Sequence, residues 1–336
     1  MPEIQQPTNP ESERPGIFGW FGLTISTLLL LLGILILAGW IGGDTRDWSM
    51  WLSWVPAPVA CALAFLGILL VGTVRGHLAA FVRVGQILLM LFFLSWTFGT
   101  DLGLFRSRPV DTSDFVLVHW NATWPGKGMD LPMAYRAIES TDADMVVVTE
   151  PGTFGWGPEG KAFVAGWPHV IRATGLVILS RQPLLQVTPI LDAEKVSLVL
   201  ARVDIDDVDR SIWIVDLPSD PRRSRKAVFK ALLDGAEVKG LGAPDIVVGD
   251  FNVTRHSRAL ESAFPGYRNA FDESGSGWSG TWPRTWPLWQ IDQVLVGPGL
   301  TARLYEVIDP GTGHHRMQRV VLRQLPEMPL VANPGP

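Results

Sequence analysis

Asp250 and Asn252 stand two positions apart in VVGDFN (247–252), directly after the apolar run Ile246-Val247-Val248 and a turn signal at Gly249. The run reads as a buried strand leading into a turn. Residues i and i+2 of an extended segment point to the same side, so the carboxylate and the carboxamide can face one ligand while Phe251 packs the other way. Such a pair suits a hard cation or a phosphate. Asp and Asn after Gly are also ordinary turn residues, so the pair acquires meaning only from what accompanies it.

Polar residues recur at the ends of other apolar runs. Asn121 follows Phe115–Trp120, Glu150 follows Met145–Thr149, and Asp216 ends Ile212–Val215. Asp292 stands within the run Ile291–Val296, and His314-His315 lie further on. Each has a plain alternative: a turn residue for Asn121, a solvated strand end for Glu150 before Pro-Gly, a capping group for Asp216, a surface or core pair for the histidines. Asp292 is harder to set aside, because a carboxylate buried in a strand needs a partner.

The elements that must position these residues are short apolar runs, to which Gly175–Leu179 and Ser197–Val203 also belong. Helical periodicity falls at Pro132–Ser140 and at Arg223–Val238, where Ala227, Phe229, Leu232 and Leu233 form an apolar stripe. Some strands follow one another without an intervening helix. That excludes a simple doubly wound alternation and points to packed sheets with helices outside.

The first hundred residues differ in character. Their only charged side chains are Arg14, Arg46, Arg75 and Arg83 against Glu3, Glu11, Glu13, Asp44 and Asp47. Residues 1–16 are expected to be a disordered tail. Three transmembrane helices are expected within 17–100, over about 17–40, 50–74 and 78–98, each near the roughly 20 residues that cross a bilayer. Arg83 must then snorkel or sit near a helix end. The loop around 43–50 is acidic on balance, whereas Arg75, His77 and Arg83 gather in the next one, which places that loop in the cytoplasm and the C-terminal part on the periplasmic or extracellular side of the cell membrane. Arg106 and Arg108 weigh against this orientation. A linker is expected over 101–114, a folded domain over 115–325 and a tail over 326–336. The whole chain of 336 residues has a formal net charge of −5. The polar part is itself mildly acidic, which argues against gripping long nucleic acid through a basic face. Cys61 is the only cysteine, so no internal disulfide is possible.

The order VLVHWN (116–121), VVVTEPG (146–152), GLVILSRQPL (175–184), IWIVDLPSDP (212–221), VVGDFN (247–252), TWP (281–283), IDQVLV (291–296) and GTGHHR (311–316) resembles the successive motifs of the endonuclease/exonuclease/phosphatase, or DNase-I-like, superfamily. The resemblance covers residues 115–325 and is nearest to membrane-anchored bacterial members. It implies an α/β (α+β) fold, a four-layer αββα sandwich of two mixed sheets, preceded here by N-terminal transmembrane helices. It also implies phosphate-ester hydrolysis assisted by Mg²⁺ or Mn²⁺. Carried over by position, Glu150 is the main metal ligand and Asn121 an accessory one. Asp250 orients the attacking water, Asn252 holds the scissile phosphate, and His315 binds and polarises it, with Asp292 fixing the His315 ring.

Two motifs depart from the pattern. Asp216 stands in DLPSDP where many members have a phosphate-contacting His, an exchange that Arg222 or a second metal could offset. His314 replaces an acidic residue that often assists the metal. Trp278, Trp282, Trp286 and Trp289 form a dense group that reads as loop packing, with a membrane-interface or substrate-stacking surface as the alternative. The expectation is a membrane-anchored metal-dependent phosphoesterase acting on a lipid head group, a nucleotide or a nucleic acid beside the lipid bilayer. The alternative is a catalytically impaired pseudoenzyme that keeps the fold as a ligand- or partner-binding module.

Overall fold

A computed structural model describes residues 16–325 except 73, 105, 107, 112, 124–128, 174 and 194. Apart from Gly16, the expected tails at 1–16 and 326–336 lie outside the described residues. Contacts divide the chain into two units at the Phe98–Gly99 junction.

The first unit holds α1 (Ile17–Gly42), α2 (Asp47–Ser53), α3 (Ala57–Val71) and α4 (His77–Trp96). Helix α1, and α4 with the turn that continues it to Asp101, are long and apolar enough to cross a membrane. The continuous helix expected over 50–74 is absent: α2 and α3 are separate, broken between Trp54 and Pro56. Pro56 has no N–H to continue a helix and disfavours helical backbone in the residue before it, so it starts α3 anew. The 15 residues of α3 reach only about 22 Å at 1.5 Å per residue. The Arg83 guanidinium donates to the carbonyls of Val71, Gly72 and Val74 at 3.0, 3.1 and 2.9 Å, satisfying the C-terminal end of α3.

The second unit runs through β1 (Leu102–Gly103), β2 (Phe115–Asn121), α5 (Leu131–Glu139), β3 (Met145–Thr149), α6 (Gly157–Ala165), β4 (His169–Ala173), β5 (Leu176–Ser180), β6 (Leu184–Ala193), β7 (Val196–Ile205) and β8 (Val208–Asp216). It continues with α7 (Arg225–Val238), β9 (Ile246–Asp250), α8 (Arg258–Ala263), β10 (Arg268–Asn269), α9 (Ala270–Ser274), β11 (Gly275–Trp278), β12 (Asp292–Val296), β13 (Leu300–Ile308) and β14 (Met317–Gln324). One mixed sheet has the order β1-β11-β13-β14-β2-β3-β5-β4 and the other β10-β12-β9-β8-β7-β6. The expected linker at 101–114 is partly built in: Leu102 and Gly103 pair with Trp278 and Gly277, and Asp114 forms an ion pair with Arg323.

Three apolar layers follow from period-two alternation. Leu117, Val147 and Ile178 meet Ile214, Val248 and Val294 between the sheets. Val118, Trp120 and Val146 face α5 and α6 on one outside, and Trp213, Val247 and Phe251 face α7 and α8 on the other. The result is the expected αββα sandwich.

Candidate active site

The inner stripe of the sandwich turns polar at one rim. Along β2, Leu117 gives way to His119 and Asn121; along β3, Val147 gives way to Thr149; along β8 and β9, Ile214 and Val248 give way to Asp216 and Asp250. Strand β12, running the other way, begins with Asp292 before Val294. Register then aligns the ends: Asp216 is the partner of Asp250 across β8 and β9, and Asp250 of Asp292 across β9 and β12. Adjacent strands lie about 4.8 Å apart, so three carboxylates stand in one row. Gly249 makes this close pairing possible. Its φ is 150°, and a Cβ there would sit 1.8 Å from the Val215 carbonyl oxygen.

Asp250 is buried and held from two directions. Its Oδ2 accepts from Asn121 Nδ2 at 2.8 Å and its Oδ1 from the Asn252 backbone N–H at 2.9 Å. Asn252 adopts a left-handed φ of 48° and donates its side-chain amide to the Leu217 carbonyl at 2.7 Å, beside Asp216. Glu150, half-buried, also has a left-handed φ, 47°, and its N–H donates to Gly175 O at 2.9 Å. Non-glycine residues rarely hold this conformation without surrounding structure to fix it, and these two of the seven described stand at the rim.

His315 arrives from the loop before β14. Its Nδ1 lies 2.9 Å from Asp292 Oδ2, and its carbonyl accepts from Trp120 Nε1 at 3.3 Å. The tryptophan-rich loop braces the same corner. Thr281 Oγ1 accepts from the Ile291 and Asp292 N–H groups at 3.3 and 3.4 Å, while the Arg284 N–H and guanidinium reach the carbonyls of His314 and Gly313 at 2.7 and 3.0 Å. Within that loop Trp282 packs on Trp289 at 5.3 Å between ring centroids, and the Trp278 indole donates to the Pro287 carbonyl. Trp286 is 77% exposed. Loop packing accounts for the first three tryptophans and not for Trp286.

Charge is crowded here. Burial and the carboxylates of Asp250, Glu150 and Asp292 push Asp216 up to about 8. Burial and Asp292 likewise raise Asp250. For Asp292 the penalty of burial is outweighed by His315, and its carboxyl stays below the usual range. Burial opposes a charged His315, but Asp292, Asp250 and Glu150 lift it to about 9. The pair is therefore a carboxylate and an imidazolium near neutral pH. One ligand atom from each of Asp250, Asp292 and His315 can be chosen so that all lie within 4.8 Å of one another. The excess of negative charge, with two carboxyl groups forced upward, fits a hard divalent cation.

The departures resolve differently from one another. Asp216 joins the row. Arg222 does not offset it: its guanidinium is 83% exposed and bound to Asp220 at 3.0 Å. His314 points away into solvent, leaving only its backbone in the loop that carries His315. His119, Thr149 and Thr281 also stand at this rim, and none of them carries a motif signal of its own. Parity was the available signal for the first two, since His119 precedes Asn121 by two positions and Thr149 shares the inner face of Val147.

The sequence matches the Endonuclease/Exonuclease/phosphatase family over residues 134–314, more than half of the chain. No curated protein matches. Among solved structures, an endonuclease/exonuclease/phosphatase family protein from Bacteroides thetaiotaomicron is similar with a TM-score of 0.50 at 14% identity, covering 63% of this chain and 98% of its own. A mannosyl-6-phosphatase from the same organism gives 0.50 at 14% identity, covering 62% and 99%.

Proposed function

The chain belongs to the endonuclease/exonuclease/phosphatase family, and on that premise we propose that it is a membrane-anchored, metal-dependent phosphoesterase whose catalytic-type domain lies on the non-cytoplasmic side. The observation that carries this reading is the aligned row Asp216, Asp250 and Asp292 with His315 bound to its last member. Few arrangements place so many titratable groups on one rim without a reacting ligand to serve.

Glu150, with Asn121 beside it, would hold Mg²⁺ or Mn²⁺, while the ligand atoms that lie together among the described residues are those of Asp250, Asp292 and His315. When bound, the cation neutralises phosphoryl charge and stabilises the leaving oxygen. Asp250, fixed by Asn121 and Asn252 and raised by burial, is placed to orient a water and accept its proton. His315, kept cationic by Asp292, contacts a phosphoryl oxygen and stabilises its charge, and Asn252 holds the same group. Hydrolysis needs no covalent intermediate in this scheme, only positioning and charge compensation. The substrate is a phosphate ester: a lipid head group, a nucleotide or a nucleic acid.

A second reading keeps the fold as a ligand- or partner-binding module. It is favoured by Arg222, whose pairing with Asp220 leaves it exposed rather than beside Asp216. Full-length protein in mild detergent, assayed with Mg²⁺ or Mn²⁺ against a diester, a monoester, DNA and sphingomyelin, separates the two. Glu150→Ala and His315→Ala should each abolish turnover. Turnover on no substrate, or turnover indifferent to both changes, refutes the enzyme.

A further inference from the structure

Asp292 is held by one imidazole through Oδ2 and faced by another at Oδ1. His119, wholly buried in β2, places Nδ1 3.9 Å from Asp292 Oδ1, and neither atom has a hydrogen-bond partner among the described residues. On its far side His119 Nε2 lies 3.2 Å from Thr149 Oγ1. The approach to Asp292 is longer than a hydrogen bond, but the tautomer with its proton on Nδ1 turns a donor toward the carboxylate and leaves Nε2 to accept from the Thr149 hydroxyl. An apolar side chain would continue the stripe of Phe115 and Leu117 at this position. A buried imidazole there is costly unless its polar atoms are used.

The line from His315 through Asp292 and His119 to Thr149 crosses from one sheet to the other, because β12 and β2 belong to different sheets. Thr149 immediately precedes Glu150. We propose that His119 is a positioning residue for the hydrolytic reaction: from the opposite sheet it fixes the Asp292 carboxylate, and through Asp292 the orientation of the His315 ring. This rests on the phosphoesterase reading, but its structural half does not.

The experiment compares full-length wild type with His119→Val, His119→Asn and His119→Gln, reading kcat, KM and thermal melting in saturating Mg²⁺. Asn can offer an amide N–H where Nδ1 stands, and Gln where Nε2 stands. Expected are a kcat loss on the order of 10- to 100-fold in His119→Val with KM nearly unchanged, typical of a lost partner behind a reacting group, and clear recovery in His119→Asn but not in His119→Gln. A His119→Val enzyme with wild-type kcat, or recovery by Gln at least as good as by Asn, overturns the proposal. The His315 Nδ1 proton, followed by NMR in histidine-labelled protein, supplies a readout without turnover. It should shift in His119→Val and return in His119→Asn; an unchanged signal in His119→Val also overturns it. If His119→Val does not fold, the Asn and Gln variants decide by the same readouts. If wild type hydrolyses no ester, the phosphoesterase reading fails while the NMR comparison still judges His119.

Discussion

Asp292 has no exposed surface and remains ionised because His315 stands against one of its oxygens. Asp292→Asn keeps the shape and removes the charge. His315 should then lose its elevated pKa of about 9 and titrate closer to its ordinary value of 6.5, visible in its imidazole NMR shifts, and kcat should drop by on the order of 10²-fold or more. Asp216 gives a prediction for stability. Its folded pKa of about 8 lies above the ordinary 3.8, so folding takes up a proton and the associated stability is fully present below about 3.8 and lost as pH rises through about 8. In metal-free protein, thermal melts should therefore show stability declining over that window, with a shallower decline in Asp216→Asn and a larger Mg²⁺-induced rise in Tm at pH 8 than at pH 5. Equal slopes for the two proteins contradict the assignment. At this scale the sequence made Asn121, Glu150, Asp250, Asn252 and Asp292 legible because each interrupts or closely follows an apolar run, and His315 only through the order of the motifs. His119 escaped, because a histidine inside such a run looks like core until its partner in another sheet is known.

Among the elements, β9 depends most on one residue. Ala at Gly249 would drive its Cβ into the Val215 carbonyl in a backbone conformation that L-residues rarely adopt. Gly249→Ala should cost more than about 2 kcal/mol in denaturant unfolding, since neither backbone can retreat without breaking the β8–β9 ladder. It should also depress activity by moving Asp250 from Asp216. A cost near zero would mean that the strands can separate freely here. The central strands were readable because they are uniformly apolar. Strands β6, β13 and β14 were not, because charged or polar residues alternate through them: Arg319 pairs with Glu306 across β13 and β14, and β6 carries Pro189 on an edge with two register shifts. Nothing local in the second apolar segment outweighed its hydrophobicity except Pro56, which proved enough to divide it.

For the whole molecule, a sparsely charged apolar N-terminal part, with its cationic loop at Arg75, His77 and Arg83, defines the proposed topology. Reporter fusions after Gly76 and at the C-terminus should fall on opposite sides of the membrane, and matching sides would contradict the orientation drawn from Arg75, His77 and Arg83. The fold of the second unit was accessible from motif order alone, whereas the register that aligns Asp216, Asp250 and Asp292 required the assembled sheet. The most direct test of the central claim is turnover of a simple phosphodiester by full-length protein, first stripped of metal by chelation and then supplied with Mg²⁺. Hydrolysis should vanish on chelation, return with Mg²⁺ and remain absent in His315→Ala. Hydrolysis that persists without metal, or that His315→Ala supports at the wild-type rate, would contradict the account.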